Sequence, residues 1–191
     1  MFPRRDVEDA ASRDSTPRDP SACERLMRRL RPAVEGLFGA LYRLEVTGRE
    51  NVPTDGPVVV VANHIGVIDG PLAASLVPRP AHFLVKRAYF VGPLGTLLTR
   101  LGQIPVTQRS ADREALTSAR EVLRAGGVVG VFPEGTRGSG EVASAQQGAA
   151  FLALGTKAVV VPVALSGTAG RSKGALPRVR SRLSVTFGEP F

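Results

Sequence analysis

The chain has 191 residues, 43% apolar and 22% charged, and its 25 lysines and arginines outnumber its 17 acids to give a formal charge of +8. A chain of this length buries roughly 70% of its unfolded surface, enough for one self-sufficient domain. A single cysteine, Cys23, excludes an internal disulfide framework and a cysteine-rich zinc site, and the positive balance points to anionic partners: nucleic acid, phosphorylated substrates or an anionic membrane surface.

Residues 1–20 mix Asp, Arg, Ser and Pro with few large apolar side chains, the composition of a disordered tail. The start of the chain lacks the apolar stretch of a secretory signal, and no run approaches the roughly 20 apolar residues of a membrane-crossing helix, so a cytoplasmic location is expected. Residues 21–43 form an amphipathic segment. From Ser21, a candidate N-cap, to about Tyr42 the apolar residues Leu26, Met27, Leu30, Val34, Leu37, Phe38 and Leu41 recur at helical spacing. Pro32 is expected to break or kink this helix near Arg31. With Arg25, Arg28, Arg29 and Arg31 on its first half, the segment either lies in a membrane interface or packs on its own domain and shows a solvated basic face.

From residue 44 to residue 191 short β-rich runs alternate with helical patterns, the rhythm of one α/β domain. Strands are predicted at 44–47, 58–62, 81–85, 103–106, 128–132, 158–164 and 183–187, and helices at 71–76, 94–101, 112–124 and 144–154. The helix from Asp112 has an acidic start, a basic end and Gly126-Gly127 as its stop.

Two segments carry chemistry. His64 follows the apolar run Val58–Ala62 and Asn63, where a strand empties into a loop, a usual ligand position in α/β sheets. Five residues on, Asp69 stands beside Gly70 and Pro71, whose turn can fold the carboxylate back onto the imidazole, fixing its tautomer and raising its basicity. The loop holds no serine or cysteine between Asn63 and Asp69, so a base here acts on a hydroxyl of the substrate rather than on an enzyme nucleophile. The second segment, Phe132-Pro133-Glu134-Gly135-Thr136-Arg137, offers a carboxylate, a hydroxyl and a guanidinium within four residues, suited to a polyol phosphate. Read alone, either segment also fits an ordinary structural turn. Two histidines in separate contexts make no metal site, and His82, on a short strand pattern, reads as structural.

Asn63-His64-Ile65-Gly66-Val67-Ile68-Asp69 followed by Phe132-Pro133-Glu134-Gly135-Thr136-Arg137 resembles the glycerophospholipid acyltransferase family, closest to its 1-acyl-sn-glycerol-3-phosphate acyltransferases. The likeness runs from about Leu44 to Gly188. Lys86 to Arg109 is similar to the family's second block, which helps hold the acceptor phosphate, and Val161-Pro162-Val163 to its fourth, associated with the site floor and the acyl group. The resemblance implies a single domain with a mixed β-sheet flanked by helices, as in glycerol-3-phosphate acyltransferases, behind the amphipathic N-terminal segment. It implies that His64, supported by Asp69, deprotonates the acceptor hydroxyl, which attacks the thioester of acyl-CoA or an acylated carrier protein. Arg109, Arg137 and Lys86 would hold the phosphate, Glu134, Gly135 and Thr136 would shape its seat, and Pro162 would line the floor. No cofactor is expected beyond the acyl donor as co-substrate. Where many relatives have a serine two residues after the histidine, this chain has Gly66.

The expected product is phosphatidic acid, made from a lysophospholipid at the inner face of the cell membrane. Another lysophospholipid or glycolipid acceptor is the alternative, and a hydrolase using water is a third reading. Arg171, Lys173, Arg178, Arg180 and Arg182, in a stretch with no acid from Gly170 to Val185, would add about 1 kcal/mol each toward an anionic bilayer if they face it, or form a solvated loop. A basic nucleic-acid-binding module is the reading from a different class. The absence of tryptophan, the two tyrosines and the scatter of basic residues argue against it.

Overall fold

The computed structural model describes residues 20–107, 112–133, 141–172 and 174–191, with the side chains of Pro20 and of residues 141–146 outside the description. Residues 1–19, nearly all of the predicted tail, lie outside the described residues. Helix α1 (Pro20–Leu41) leads into β1 (Arg43–Thr47). Then follow β2 (Val58–Ala62), α2 (Asp69–Leu76), β3 (Ala81–Lys86), α3 (Gly92–Arg100), β4 (Ile104–Val106), α4 (Arg113–Arg124), β5 (Val128–Val131), α5 (Glu141–Thr156), β6 (Val159–Ser166) and β7 (Arg182–Phe187). The seven strands form one mixed sheet in the order β1-β7-β6-β2-β5-β3-β4. Every neighbouring pair is parallel except β6 and β7. Each predicted strand and helix is present, with ends displaced by a few residues.

Strand β2 lies at the centre and is apolar throughout because helices cover both faces of the sheet. The two-residue alternation sends Val58, Val60 and Ala62 toward Phe38 after α1's midpoint and Leu72 and Leu76 of α2. Val59 turns the other way, toward Ala115, Ala119 and Leu123 of α4 and Leu152 of α5.

The predicted break at Pro32 does not occur: one helix runs through it. Pro32 is exposed, so the carbonyl it leaves unbonded is free to meet water, while the opposite face is held by packing. Phe38 and Tyr42 enter the same core as β2 and β7, with ring centroids 6.2 Å apart. Arg31 donates to the Val77 carbonyl at 3.2 Å, and Arg49 grips Glu35 with two bonds of 2.9 and 2.8 Å. The N-terminal helix is thus packed on the domain. Cys23 is a free, buried thiol beneath Gly102.

Helix α4 has the predicted ends. Asp112 caps it by accepting from the Ala115 N–H at 3.1 Å, and Gly126 stops it in the left-handed region at φ 79°. The Gly126 and Gly127 amides return to the carbonyls of Leu123 and Val122 at 2.8 and 2.9 Å, which satisfies the last turn.

The register decides where chemistry can occur. Strands β2, β3, β4, β5 and β6 point the same way, so His64 after β2, Lys86 at the end of β3, Thr107 after β4, Phe132 after β5 and Thr168 after β6 share one edge of the sheet. Crevices outside the carboxyl ends of parallel strands are where α/β sheets hold ligands.

Candidate active site

The loop after β2 is built around one carboxylate. Asn63 first ties the strand end to β6, its side chain donating to the Leu165 carbonyl at 2.9 Å and accepting from the Leu165 amide at 2.6 Å. The chain then curls through Ile65 and Gly66 so that both amides donate to Asp69 Oδ2 at 2.7 Å, and His64 Nδ1 lies 2.8 Å from the same oxygen. Asp69 is the first residue of α2, where the helix dipole also favours its charge. Its side chain is fully buried, whereas that of His64 is 39% exposed.

Burial pushes the Asp69 pKa up, but hydrogen bonds from His64, Gly66 and Ile65, with the nearby Thr168 hydroxyl, outweigh it and hold the carboxyl below the ordinary value of 3.8. Asp69 is therefore ionised near neutrality and can only accept. The proton between the pair belongs to Nδ1, and Nε2 is left with a free lone pair. The second oxygen, Oδ1, and the Thr168 hydroxyl are both buried and make no hydrogen bond of full geometry, yet the hydroxyl is near enough to lower the Asp69 pKa.

Two neighbours that sequence reasoning did not single out complete the setting. Thr168, fully buried, comes from the loop after β6. Its backbone is pressed against Gly66: a Cβ there would sit 2.1 Å from the Thr168 carbonyl oxygen, so no larger residue fits without moving one of the two loops. The Phe132 ring lies 4.8 Å from the imidazole and stacks at 5.4 Å on Phe83, whose ring in turn crosses Gly130 where any side chain would collide. No local signal in the sequence marks Thr168, because its neighbours Gly66 and Asp69 are remote from it along the chain. Phe132 could have been found from its place in the second motif.

Among the other predicted residues, Lys86 is exposed at the end of β3, level with Val106 of β4, on the same sheet edge as His64. Pro162 is exposed on β6 opposite Val61. It falls on the sheet face turned away from Val161 and Val163, so it lies across the sheet from Phe132. Arg109, Glu134, Gly135, Thr136 and Arg137 lie outside the described residues. Thr107 and Asp112, the described neighbours around Arg109's segment, are clamped together, Asp112 Oδ2 accepting from the Thr107 amide and hydroxyl at 2.7 Å each. Phe132 and Pro133, the first two residues of the second motif, follow β5 at the His64 edge. A cleft of about 200 Å³ opens between Ile65–Val67 and the chain at Ala169–Ser172, with Arg171 in its wall. His82 is buried and its Nδ1 donates to the Gly102 carbonyl at 2.8 Å, a structural use. No helix among the described residues is long and apolar enough to cross a membrane.

A part-exposed imidazole with a buried carboxylate behind it can act as a general base on a hydroxyl brought to the sheet edge. A sequence model of the acyltransferase family matches residues 43–166. The chain is 29% identical over 150 residues to the 1-acyl-sn-glycerol-3-phosphate acyltransferase of Bacillus subtilis, covering 78% of this chain and 73% of that protein. It is 32% identical to the Borreliella burgdorferi protein of the same name, over 69% of this chain and 54% of the other. The crystal structure of the 1-acyl-sn-glycerophosphate acyltransferase PlsC of Thermotoga maritima superposes with a TM-score of 0.72 at 27% identity, covering 93% of this chain and 73% of that one. With its mixed sheet, its His64–Asp69 loop and these likenesses together, the chain belongs to the acyltransferase family, as an O-acyltransferase.

Proposed function

We propose that the chain transfers a fatty acyl group from acyl-CoA or an acylated carrier protein to the free hydroxyl of 1-acyl-sn-glycerol-3-phosphate, giving phosphatidic acid for phospholipid synthesis at the inner face of the cell membrane. The observation that carries this reading is the His64–Asp69 pair: a solvent-reaching imidazole fixed at 2.8 Å on a buried carboxylate that itself accepts two backbone N–H bonds. Nε2 of His64 removes the hydroxyl proton as the oxygen attacks the thioester carbonyl. The tetrahedral adduct then collapses with loss of the thiolate, which takes the proton back from the imidazolium. Asp69 stays ionised throughout and stabilises the charged ring. No covalent acyl-enzyme is needed, and the loop contains no nucleophile to form one.

Lys86, at the same edge, is a first contact for the acceptor phosphate, with Arg109 and Arg137 as its partners and Glu134, Gly135 and Thr136 shaping the seat of the glycerol. Pro162, which the resemblance puts at the floor beneath the acyl chain, lies on the sheet face away from Phe132 and is left out of the proposed site. A single experiment tests the reading: labelled acyl-CoA is offered with lysophosphatidic acid and a panel of other lysolipids, and products are separated by chromatography. Labelled phosphatidic acid is the expected product. Label in a different phospholipid would reassign the head group. Free fatty acid released without any acceptor would identify a hydrolase instead.

A further inference from the structure

The strand order gives His64 two unlike flanks. Lys86 and the strands that precede Arg109 and Arg137 lie on the β5 side of β2, whereas β6 and its connection to β7 lie on the other side. The acceptor phosphate assigned above occupies the first flank, which leaves the second for the other substrate. That second flank is hollow. The cleft of about 200 Å³ beside Ile65–Val67 has Arg171 in its wall. A second cavity of about 250 Å³ shares Ala169, Gly170 and Arg171 with the first and is lined further by Arg178 and Ser181.

Backbone packing fixes the walls. A Cβ at Gly170 would stand 2.2 Å from the Ala175 carbonyl oxygen, and the Ala175 amide donates to the Ser172 carbonyl at 3.0 Å, so the connection doubles back on itself. Farther along, the Arg180 amide donates to the Leu41 carbonyl at 2.7 Å, which ties the loop to the end of α1. Its cations differ in their engagement. Arg182 pairs with Glu45 at 3.1 Å, but Arg171 and Arg178 are exposed and have no ion pair among the described residues. The Ser181 hydroxyl is buried and has no hydrogen-bond partner. A hollow that starts beside the base loop and continues past two free guanidiniums suits a long substrate with its reactive group at one end and phosphates farther along. We propose that this hollow takes the phosphate-bearing arm of the acyl thioester donor, with Arg171 and Arg178 pairing with its phosphates. The inference deepens the acyl-transfer reading and rests on it: donor and acceptor reach His64 from opposite flanks, so the thioester carbonyl and the attacking hydroxyl meet at the imidazole.

The test is steady-state kinetics on the full chain and on Arg171→Ala, Arg178→Ala and Arg182→Ala, the last removing a nearby charge that lines neither cavity. Donors are acyl-CoA and the acyl thioester of pantetheine, which carries no phosphate, with lysophosphatidic acid as acceptor. Folding is checked by circular dichroism. Arg171→Ala and Arg178→Ala should each raise the KM for acyl-CoA by about tenfold, the scale of one lost charge-assisted contact, while the KM values for acyl-pantetheine and lysophosphatidic acid move by less than about twofold. Arg182→Ala should move none of them by more than about twofold. Arg171→Lys, which keeps the charge, should recover part of the loss. An unchanged KM for acyl-CoA in both folded variants overturns the proposal. So does a rise confined to lysophosphatidic acid, which would put the acceptor on this flank, and so do equal rises for acyl-CoA and acyl-pantetheine, which would mark a purely structural role. With an acylated carrier protein as donor, a rise matching that for acyl-CoA identifies the phosphate common to both donors, and no rise identifies the phosphates of the nucleotide. Calorimetric titration with free CoA keeps the two readings apart. A chain that binds CoA, loses it on Arg171→Ala and yet transfers no acyl group refutes the functional reading and leaves the donor cleft standing.

Discussion

At the scale of single residues, one oxygen of Asp69 gathers three hydrogen bonds, from His64 Nδ1 and the amides of Ile65 and Gly66, and that concentration makes the imidazole a usable base. The proton is confined to Nδ1, so Nε2 is the nitrogen left to accept a proton. His64→Ala removes the base while deleting a part-exposed side chain, so acyl transfer should fall by roughly 10²- to 10⁴-fold with circular dichroism and melting little changed. Thr168 acts on the other side of the carboxylate. Thr168→Val keeps the shape and deletes the hydroxyl that helps lower the Asp69 pKa. That pKa should rise, the acid limb of stability should move to higher pH, and kcat should drop about fivefold, equivalent to about 1 kcal/mol. Thr168→Ser should restore all three. A purely packing role for Thr168 would leave the acid limb in place.

At the scale of elements, α1 shows how tertiary contacts override a local rule. Pro32 costs a helix interior about 3 kcal/mol, and the sequence predicts a break there. The helix nevertheless continues because Phe38 enters the sheet's core and Arg31 and Glu35 are tied to the chain beyond. The side chains of α1 consequently divide by face rather than by sequence neighbourhood. Phe38 is 9% exposed and Leu37 57%. Phe38→Ala should lower stability by about 3 kcal/mol in chemical denaturation, as for other buried aromatics, and Leu37→Ala by less than about 0.5. Equal effects would mean that α1 does not pack as described. Helix α4 behaves in the opposite way: Asp112 and Gly126-Gly127 mark its ends in the sequence and cap them in the fold, since capping needs only neighbours along the chain.

At the scale of the whole molecule, the parallel register collects residues from five strands at one edge, and acid stability follows from how carboxylates are held there. Asp69 and Asp112 both have pKa values below the ordinary one: burial opposes the shift in each, and hydrogen bonds overcome it, for Asp112 those from Thr107 and the Ala115 amide. A group whose folded pKa is depressed adds stability above its unfolded value, about 3.9, and that stability is lost as pH falls through the folded value. Melting temperatures should therefore hold steady down to about pH 5 and decline below about pH 4. Asp112→Asn should flatten that decline. A decline of the same steepness in the variant would show that Asp112 takes no part in it.

Much of the site was legible before any fold. Val58–Ala62 announces a buried central strand by composition alone, and His64 and Phe132 stand where strands end while Asp69 opens the helix beyond, which the spacing of residue types conveys without coordinates. The alternation of strands and helices likewise settles the α/β class, because period and propensity are properties of adjacent residues. What the tertiary structure alone decided are the relations between remote segments. These are the order of the strands, the passage of α1 through Pro32, the approach of Thr168 to Asp69 and Gly66, and the cleft with Arg171 in its wall on the β6 side of His64. No local pattern encodes them, since each depends on which strand lies beside which, and that is chosen by packing the whole apolar surface at once.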